Sequence, residues 1–497
     1  MGAGPGDPEL ITWRGVELLQ QADVVLFDAL SHPDLLKLCP QAEIRDVGKR
    51  AGQRATPQHL ITNQLIELAQ EGKRVVRLKG GDPLLFARGA EEALALRAAG
   101  VRFEIVPGVT SPVAASAFAG IPLTHRDASS SVTFITGTDQ EGKSWSPQAW
   151  KKLATATGTI CIFMGMRRIR EITRALIEGG REGSTPAAAI RWGARPVQRT
   201  VVGCLSDISE RVEAEGLTSP AMIVVGEVIS LREQMRWYDN KPLFGCRVVI
   251  PRPRHQAGTT AKLVRQRGAI PVLAPAIEIV PPRESAALRS SALRADSYDW
   301  VVFTSQNGVD AFFDQIKKLR KDARVFGRAR IGVIGPKTAA SLERYGITAD
   351  LVAQEYVAES LAAQLLLAEP PPGRLLLVRA AEAREVLPQM LREAGVAVDV
   401  VEAYQTRLAE GAAAQVLCDA VSDSADAVLL SSSSMARSLV QALGSEAATI
   451  LKNVAVASIG PVTTSALREL GIEPDLQAEK YTVPGLLDAL ERHFEAS

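Results

Sequence analysis

Short hydroxyl residues stand at the ends of apolar strands in the second half of this sequence, and the pattern occurs twice. VVFTSQN at 301–307 carries Thr304 and Ser305, and VLLSSSS at 428–434 carries Ser431 and Ser432. A second strand in each copy runs into Gly-Pro, followed by Thr338 in one and by Thr463 and Thr464 in the other. Where a strand gives way to a helix, free backbone N–H groups and the helix dipole favour an anion. Carboxylate or phosphate binding is therefore the chemistry expected at Ser305, Thr338, Ser432, Thr463 and Thr464. Each of these residues also suits a helix cap or a turn; their paired occurrence favours the ligand reading. The first half uses glycine instead. GAGPGDPEL at 2–10, RLKGGDP at 77–83 and VPGVTSPVAASAFAGIPLTHRD at 106–127 each put small residues at a strand end, where a ligand can touch backbone. Three such clefts are expected to converge on one ligand. Pro5 inside the first loop, with no acidic residue on a following strand, disfavours a dinucleotide-binding Rossmann enzyme.

The elements that must position these residues alternate. VVLF at 24–27, VVRL at 75–78, TICIFM at 159–164 and MIVVG at 222–226 read as strands, and Pro57 to Gln70 and Gly89 to Ala99 as amphipathic helices. That is an α/β fold class with buried parallel or mixed sheets. The polar, Pro-containing LREQMRWYDNKPLFG at 231–245 places the main boundary near Asn240. Beyond it lies an internal duplication. IGPKTAASLERYGITADLVAQEYVAESL around Ile334 is echoed by IGPVTTSALRELGIEPDLQAEKYTVPGL at Ile459, RVVIPR at 247 by RLLLVR at 374, and Gly268 by Gly395. The period is too long for a solenoid repeat of about 20–50 residues and fits two similar α/β domains framing a cleft.

Composition excludes several classes. The 497 residues carry 57 Lys plus Arg against 56 Asp plus Glu, a formal charge of +1, so no global field draws the chain to nucleic acid or an anionic membrane. No apolar stretch has the length of a membrane span and no signal segment opens the chain, so a cytoplasmic protein is expected. Cys39, Cys161, Cys204, Cys246 and Cys418 are odd in number and far apart, which fits reduced thiols. The five histidines form no zinc motif, and no metal is expected.

GAGPGDPEL, VGKRAG at 47–52, VVRLKGGDP, VPGVTS, GIPLTHRD at 120–127 and FMGM at 163–166, in this order, resemble uroporphyrinogen-III C-methyltransferase across residues 1–240. The resemblance implies the two-domain tetrapyrrole methylase fold, with subdomains of about 1–125 and 126–240, a homodimer through this half, and S-adenosylmethionine bound between the subdomains. Its cofactor contacts fall on Pro5, Gly80, Gly81, Asp82, Leu85, Thr110, Ser111, Met164 and Gly193; core packing for Met164 and a turn role for Asp82 are the plainer alternatives. Asp28 matches the family's proton acceptor and Lys49 its donor, with a helix cap and a solvated charge as alternatives. The sequence departs from the family at Ala29, at Ser111 and in TGT at 136–138, and it lacks the apolar strand the family places ahead of GAGPGD, which is expected to weaken the pocket beneath Pro5.

Residues 243–497 resemble uroporphyrinogen-III synthase through FTSQN, IGPKTA, VEAYQT at 401–406 and IGPVTTSAL. The resemblance implies a bilobal α/β synthase with a discontinuous first lobe, about 243–278 with 405–497, and a second lobe of about 279–404. It implies cyclisation of hydroxymethylbilane to uroporphyrinogen III with inversion of the last ring and no cofactor. Tyr404 matches the tyrosine that assists departure of the hydroxyl, an interdomain tyrosine being the alternative. Ser305, Thr338, Ser432, Thr463 and Thr464 match binding positions. Arg252 and Arg379 are duplicated, and suit a structural role as well as a ligand contact. Together the halves imply a bifunctional enzyme whose second half makes uroporphyrinogen III and whose first half methylates it twice, to precorrin-2, toward sirohaem or cobalamin. Three alternatives stay open: a synthase-like half that only binds the tetrapyrrole, a ligand sensor, and methylation of a later precorrin.

Overall fold

Strands form where β-branched and leucine residues run together, and in the first half they make two sheets. The computed structural model describes residues 1–48, 56–137, 145–355, 358–383, 385–422 and 425–496. Strands β1 (Val24–Phe27), β2 (Glu43–Asp46) and β3 (Val75–Leu78) form a parallel sheet in the order β2-β1-β3. Strands β4 (Val132–Thr136), β5 (Thr159–Phe163), β6 (Pro186–Arg191), β7 (Arg199–Cys204) and β8 (Ala221–Val225) form a mixed sheet, β4-β5-β8-β6-β7, in which only β4 and β5 run parallel. Its central strands are buried on both faces, with Ile160, Ile162, Ala187, Ala189, Ile223 and Val225 fully covered.

The second half builds two further sheets from β9 (Arg247–Ile250), β10 (Ile270–Leu273), β11 (Ile277–Val280), β12 (Trp300–Phe303), β13 (Arg330–Val333), β14 (Leu351–Val352), β15 (Arg374–Ala380), β16 (Ala397–Leu408), β17 (Ala427–Leu430), β18 (Ala455–Ser458) and β19 (Leu476–Gln477). One sheet has the order β10-β9-β17-β18-β19 and the other β11-β16-β15-β12-β13-β14. The duplicated strands occupy equivalent places: β9-β17-β18-β19 repeats β15-β12-β13-β14. Each sheet therefore takes its first duplicated strand from one sequence copy and the other three from the other. Strands β12 and β17 are buried along their whole length.

By packing, the chain divides into two compact units, Met1–Arg247 with Lys262–Pro271 and Leu490–Ser497, and Val248–Ala261 with Val272–Ala489. No helix among the described residues is long and apolar enough to cross a membrane.

Candidate functional site

The first half encloses a cavity of about 570 Å³, within the range of roughly 300–1,000 Å³ usual for small-molecule sites. Three loops are stitched together at its base. Gly81 donates its N–H to the Gly4 carbonyl at 2.7 Å, Ala3 donates to the Lys79 carbonyl at 2.7 Å, and Gly2 donates to the Val106 carbonyl at 3.0 Å. The Asp82 carboxylate joins the second loop to the third, accepting from Gly108 N–H at 3.0 Å and from Leu84 N–H at 2.8 Å. A Cβ on Gly108 would stand 2.2 Å from the Gly81 carbonyl oxygen, so only glycine lets these backbones meet. Gly81 itself holds φ at +69°, and this puts its backbone on the cavity wall.

Of the predicted cofactor residues, Pro5, Gly80, Gly81, Ser111, Met164 and Gly193 line the cavity. Asp82, Leu85 and Thr110 are absent from its wall: Asp82 ties the loops, and Thr110 is the N-cap position of helix Ser111–Phe118 without a side-chain capping bond. Leu30, Phe163, Arg167, Trp192 and Met222 also line it and were missed. For Trp192 the signal is conformational. Phe86, Arg88, Met164, Trp192 and Ala194 all hold positive φ between 50° and 62°, and among the described non-glycine residues only Arg320 joins them. Met164 and Trp192 stand in the wall, Ala194 follows Gly193, and Phe86 meets the Phe163 ring edge-on at 4.9 Å. Such backbone costs about 1–3 kcal/mol per residue and gathers at ligand sites.

Asp28 leaves the end of β1 beside a buried charge cluster. Arg77 Nη2 donates to Asp28 Oδ1 at 2.6 Å and Arg77 Nε to Glu92 Oε1 at 3.2 Å, while Lys79 Nζ and Gln58 Nε2 reach the same Glu92 oxygen at 3.0 and 2.7 Å. Burial acts to raise the Glu92 pKa, but Arg77 and Lys79 outweigh it and leave the carboxyl below its usual range. The cluster fixes the Asp28 carboxylate, two residues before Leu30 of the cavity wall. Lys49 lies outside the described residues. On the outer side of β3, Met1–Ala3 continues the ladder: the Met1 amino group donates to the Arg77 carbonyl at 2.7 Å, and burial, assisted by Arg77, lowers its pKa to about 6. A separate cavity of about 370 Å³ runs past Met1 between Val75–Arg77 and Val101–Ile105.

In the second half, Ser305 and Ser432 are N-caps at equivalent places. Ser305 Oγ accepts from Gly308 N–H at 3.1 Å, and Ser432 Oγ from Met435 N–H at 3.2 Å. The Tyr404 hydroxyl donates to Ser305 Oγ at 3.1 Å, which brings two predicted residues together. A β-bulge aims that tyrosine: Arg379 faces Glu402 across the ladder but Ala380 faces Tyr404, leaving Ala403 as the extra residue. Thr338, Thr463 and Thr464 are buried in the first turns of helices Pro336–Glu343 and Pro461–Glu469. The Thr464 hydroxyl donates to Gln477 Oε1 at 2.7 Å and lies 2.9 Å from Ser458 Oγ, so it is engaged within its own sheet.

Two family descriptions divide the chain: Tetrapyrrole (Corrin/Porphyrin) Methylases match residues 1–209, and Uroporphyrinogen-III synthase HemD matches residues 258–488. Over 491 residues the chain is 36% identical to the porphyrin biosynthesis protein HemD of Ruminiclostridium josui, covering 99% of this chain and 96% of that protein. The chain is a fusion of a tetrapyrrole methylase with a HemD-family synthase. Its methylase half is 43% identical over 242 residues to the uroporphyrinogen-III C-methyltransferase of Bacillus subtilis, covering 48% of this chain and 94% of that enzyme. A crystal structure of uroporphyrin-III C-methyl transferase from Thermus thermophilus complexed with S-adenyl homocysteine matches at 36% identity and a TM-score of 0.40, over 46% of this chain and 97% of that one. The glycine-walled cavity is thus a feature of the methylase half, and the Tyr404–Ser305 pair one of the synthase half.

Proposed function

We propose that this fusion makes uroporphyrinogen III and then methylates it: the synthase half closes hydroxymethylbilane with inversion of the last ring, and the methylase half transfers two methyl groups to give precorrin-2. The observation that carries this reading is the pairing, in one chain, of the cavity walled by Pro5, Gly81, Ser111, Met164 and Gly193 with the Tyr404–Ser305 hydrogen bond at a strand end. The cavity fits a cofactor with polar and apolar ends, because the wall combines exposed backbone at Gly80 and Gly81 with Met164, Phe163 and Met222. S-adenosylmethionine bound there supplies a sulfonium methyl for a pyrrole carbon. Held by Arg77, Asp28 accepts the proton that the macrocycle must lose once the ring carbon, which carries no hydrogen of its own, has taken the methyl, and catalysis otherwise rests on positioning. The family assigns the donor role to Lys49.

In the synthase half the Tyr404 hydroxyl, positioned by Ser305, donates to the departing hydroxyl of hydroxymethylbilane, which leaves as water. The capped helix starts at Ser305 and Ser432 offer donors to substrate carboxylates. Residues 1–240 and 243–497 are the extents we assign to the two enzymes, with synthase lobes of about 243–278 with 405–497, and 279–404. A homodimer through the methylase half and a cytoplasmic location complete the proposal. Incubating the chain with hydroxymethylbilane tests the first step: uroporphyrinogen III is expected, and only the spontaneous, uninverted isomer would leave the synthase half as a binding module. Adding S-adenosylmethionine should then yield a dimethylated product; its absence from uroporphyrinogen III supplied directly would remove the methylase assignment.

A further inference from the structure

The two duplicated arginines of the synthase half sit at equivalent strand ends, yet their surroundings differ. Arg379, at the end of β15, is 8% exposed and ion-paired with Glu385. Arg252 follows β9, half-buried, and among the described residues its only hydrogen bond is from Nε to Ser431 Oγ, at 3.0 Å. No carboxylate among the described residues lies against it, and burial alone lowers its pKa. A half-buried guanidinium with both Nη groups left without an acceptor among the described residues is placed to take an anion.

Its position says which anion. One helical turn beyond Arg252, Gln256 Nε2 donates to Asn307 Oδ1 at 2.9 Å. Asn307 belongs to the first turn of helix Gln306–Lys318, whose cap Ser305 receives the Tyr404 hydroxyl. That contact brings the start of the helix that follows Arg252 against the start of the helix capped by Ser305. We infer that Arg252 is the carboxylate anchor of the synthase cleft, its guanidinium fork held by Ser431 to receive an acetate or propionate side chain of the tetrapyrrole, while Arg379 is committed to Glu385. This rests on the synthase reading above and adds a substrate-binding residue to it.

Arg252→Gln should raise the KM for hydroxymethylbilane by about ten- to a hundredfold, the range for a lost charge-assisted hydrogen bond, with a smaller change in kcat and no shift in Tm. Arg252→Lys should recover part of the loss, because charge returns without the fork. Added salt should raise the KM of the unmodified chain more than that of the glutamine variant. A two-site titration with uroporphyrin III separates the two claims, the methylase half supplying the second site. If the unmodified chain makes no uroporphyrinogen III but Arg252→Gln still weakens one uroporphyrin site, the synthase reading falls and the anchor stands. If KM and both uroporphyrin affinities are unchanged by Arg252→Gln, or if kcat and Tm fall together with KM unmoved, the anchor is overturned.

Discussion

The methylase half presents backbone to its cavity, whereas the synthase half presents hydroxyls and an arginine at strand ends. In the first, Gly2, Gly81 and Gly108 meet main chain to main chain, and the wall residues Met164 and Trp192 hold left-handed backbone. In the second, Tyr404 meets Ser305 and Arg252 meets Ser431 through side-chain atoms. The difference teaches that the two halves should fail in opposite ways. A backbone-built site is broken by adding atoms, and a side-chain-built one by removing them.

The sharpest break is Gly108→Ala. Its new Cβ meets the Gly81 carbonyl oxygen and the Gly2 Cα, neither of which can rotate away. We expect methyl transfer to be abolished and the methylase half destabilised by about 3 kcal/mol, with uroporphyrinogen III formation from hydroxymethylbilane retained; a fully active alanine variant would mean the loops do not form this cavity in solution. Next come the groups proposed to transfer protons, which ask whether each half also depends on one polar atom. Tyr404→Phe should lower the rate of ring closure by about 10²-fold while leaving methyl transfer intact, and Asp28→Asn should do the reverse. Product analysis by isomer and by methyl count reads both effects from the same samples, and a Phe variant with undiminished closure would reduce Tyr404 to a packing residue.

The amino terminus gives an intermediate effect confined to the methylase half. Its pKa is lowered to about 6 by burial, so the unfolded chain binds more protons between pH 6 and its usual value near 8. Stability should therefore rise from pH 6 to pH 8, by at most about 2 kcal/mol, and N-terminal acetylation should flatten that rise in denaturant titrations. The smallest effects compare the two caps. Ser432→Ala loses one helix cap, about 1 kcal/mol. Ser305→Ala loses the cap and the acceptor of Tyr404, so it should also slow ring closure; equal activities for the two alanine variants would show that the Tyr404–Ser305 contact has no catalytic consequence.

Much of this was legible in local sequence. Ser305 and Ser432 are caps where the strands VVF and VLL end, because a short hydroxyl side chain reaches the amide three residues on. Pro5, Gly80, Gly81, Ser111, Met164 and Gly193 share one cavity because glycine and small residues at strand ends leave room there. Leu30 was not legible, since most of its neighbours in the wall come from distant segments and its own surroundings carry no motif. Thr464 illustrates the converse: its spacing matches a ligand position, but the hydroxyl is occupied by Gln477 on β19.

By itself the sequence determined the α/β alternation, the two-enzyme order and the internal duplication, because strand and helix periods, caps and glycine turns are read within a few residues. Only the tertiary structure decided that β9 completes the sheet of β17–β19 and β15 that of β12–β14. It alone decided, too, that of two arginines in matching motifs one is neutralised and the other is not. Both outcomes depend on which distant segment lies alongside, and strand pairing and charge neutralisation are set by that contact rather than by the residue's own neighbours.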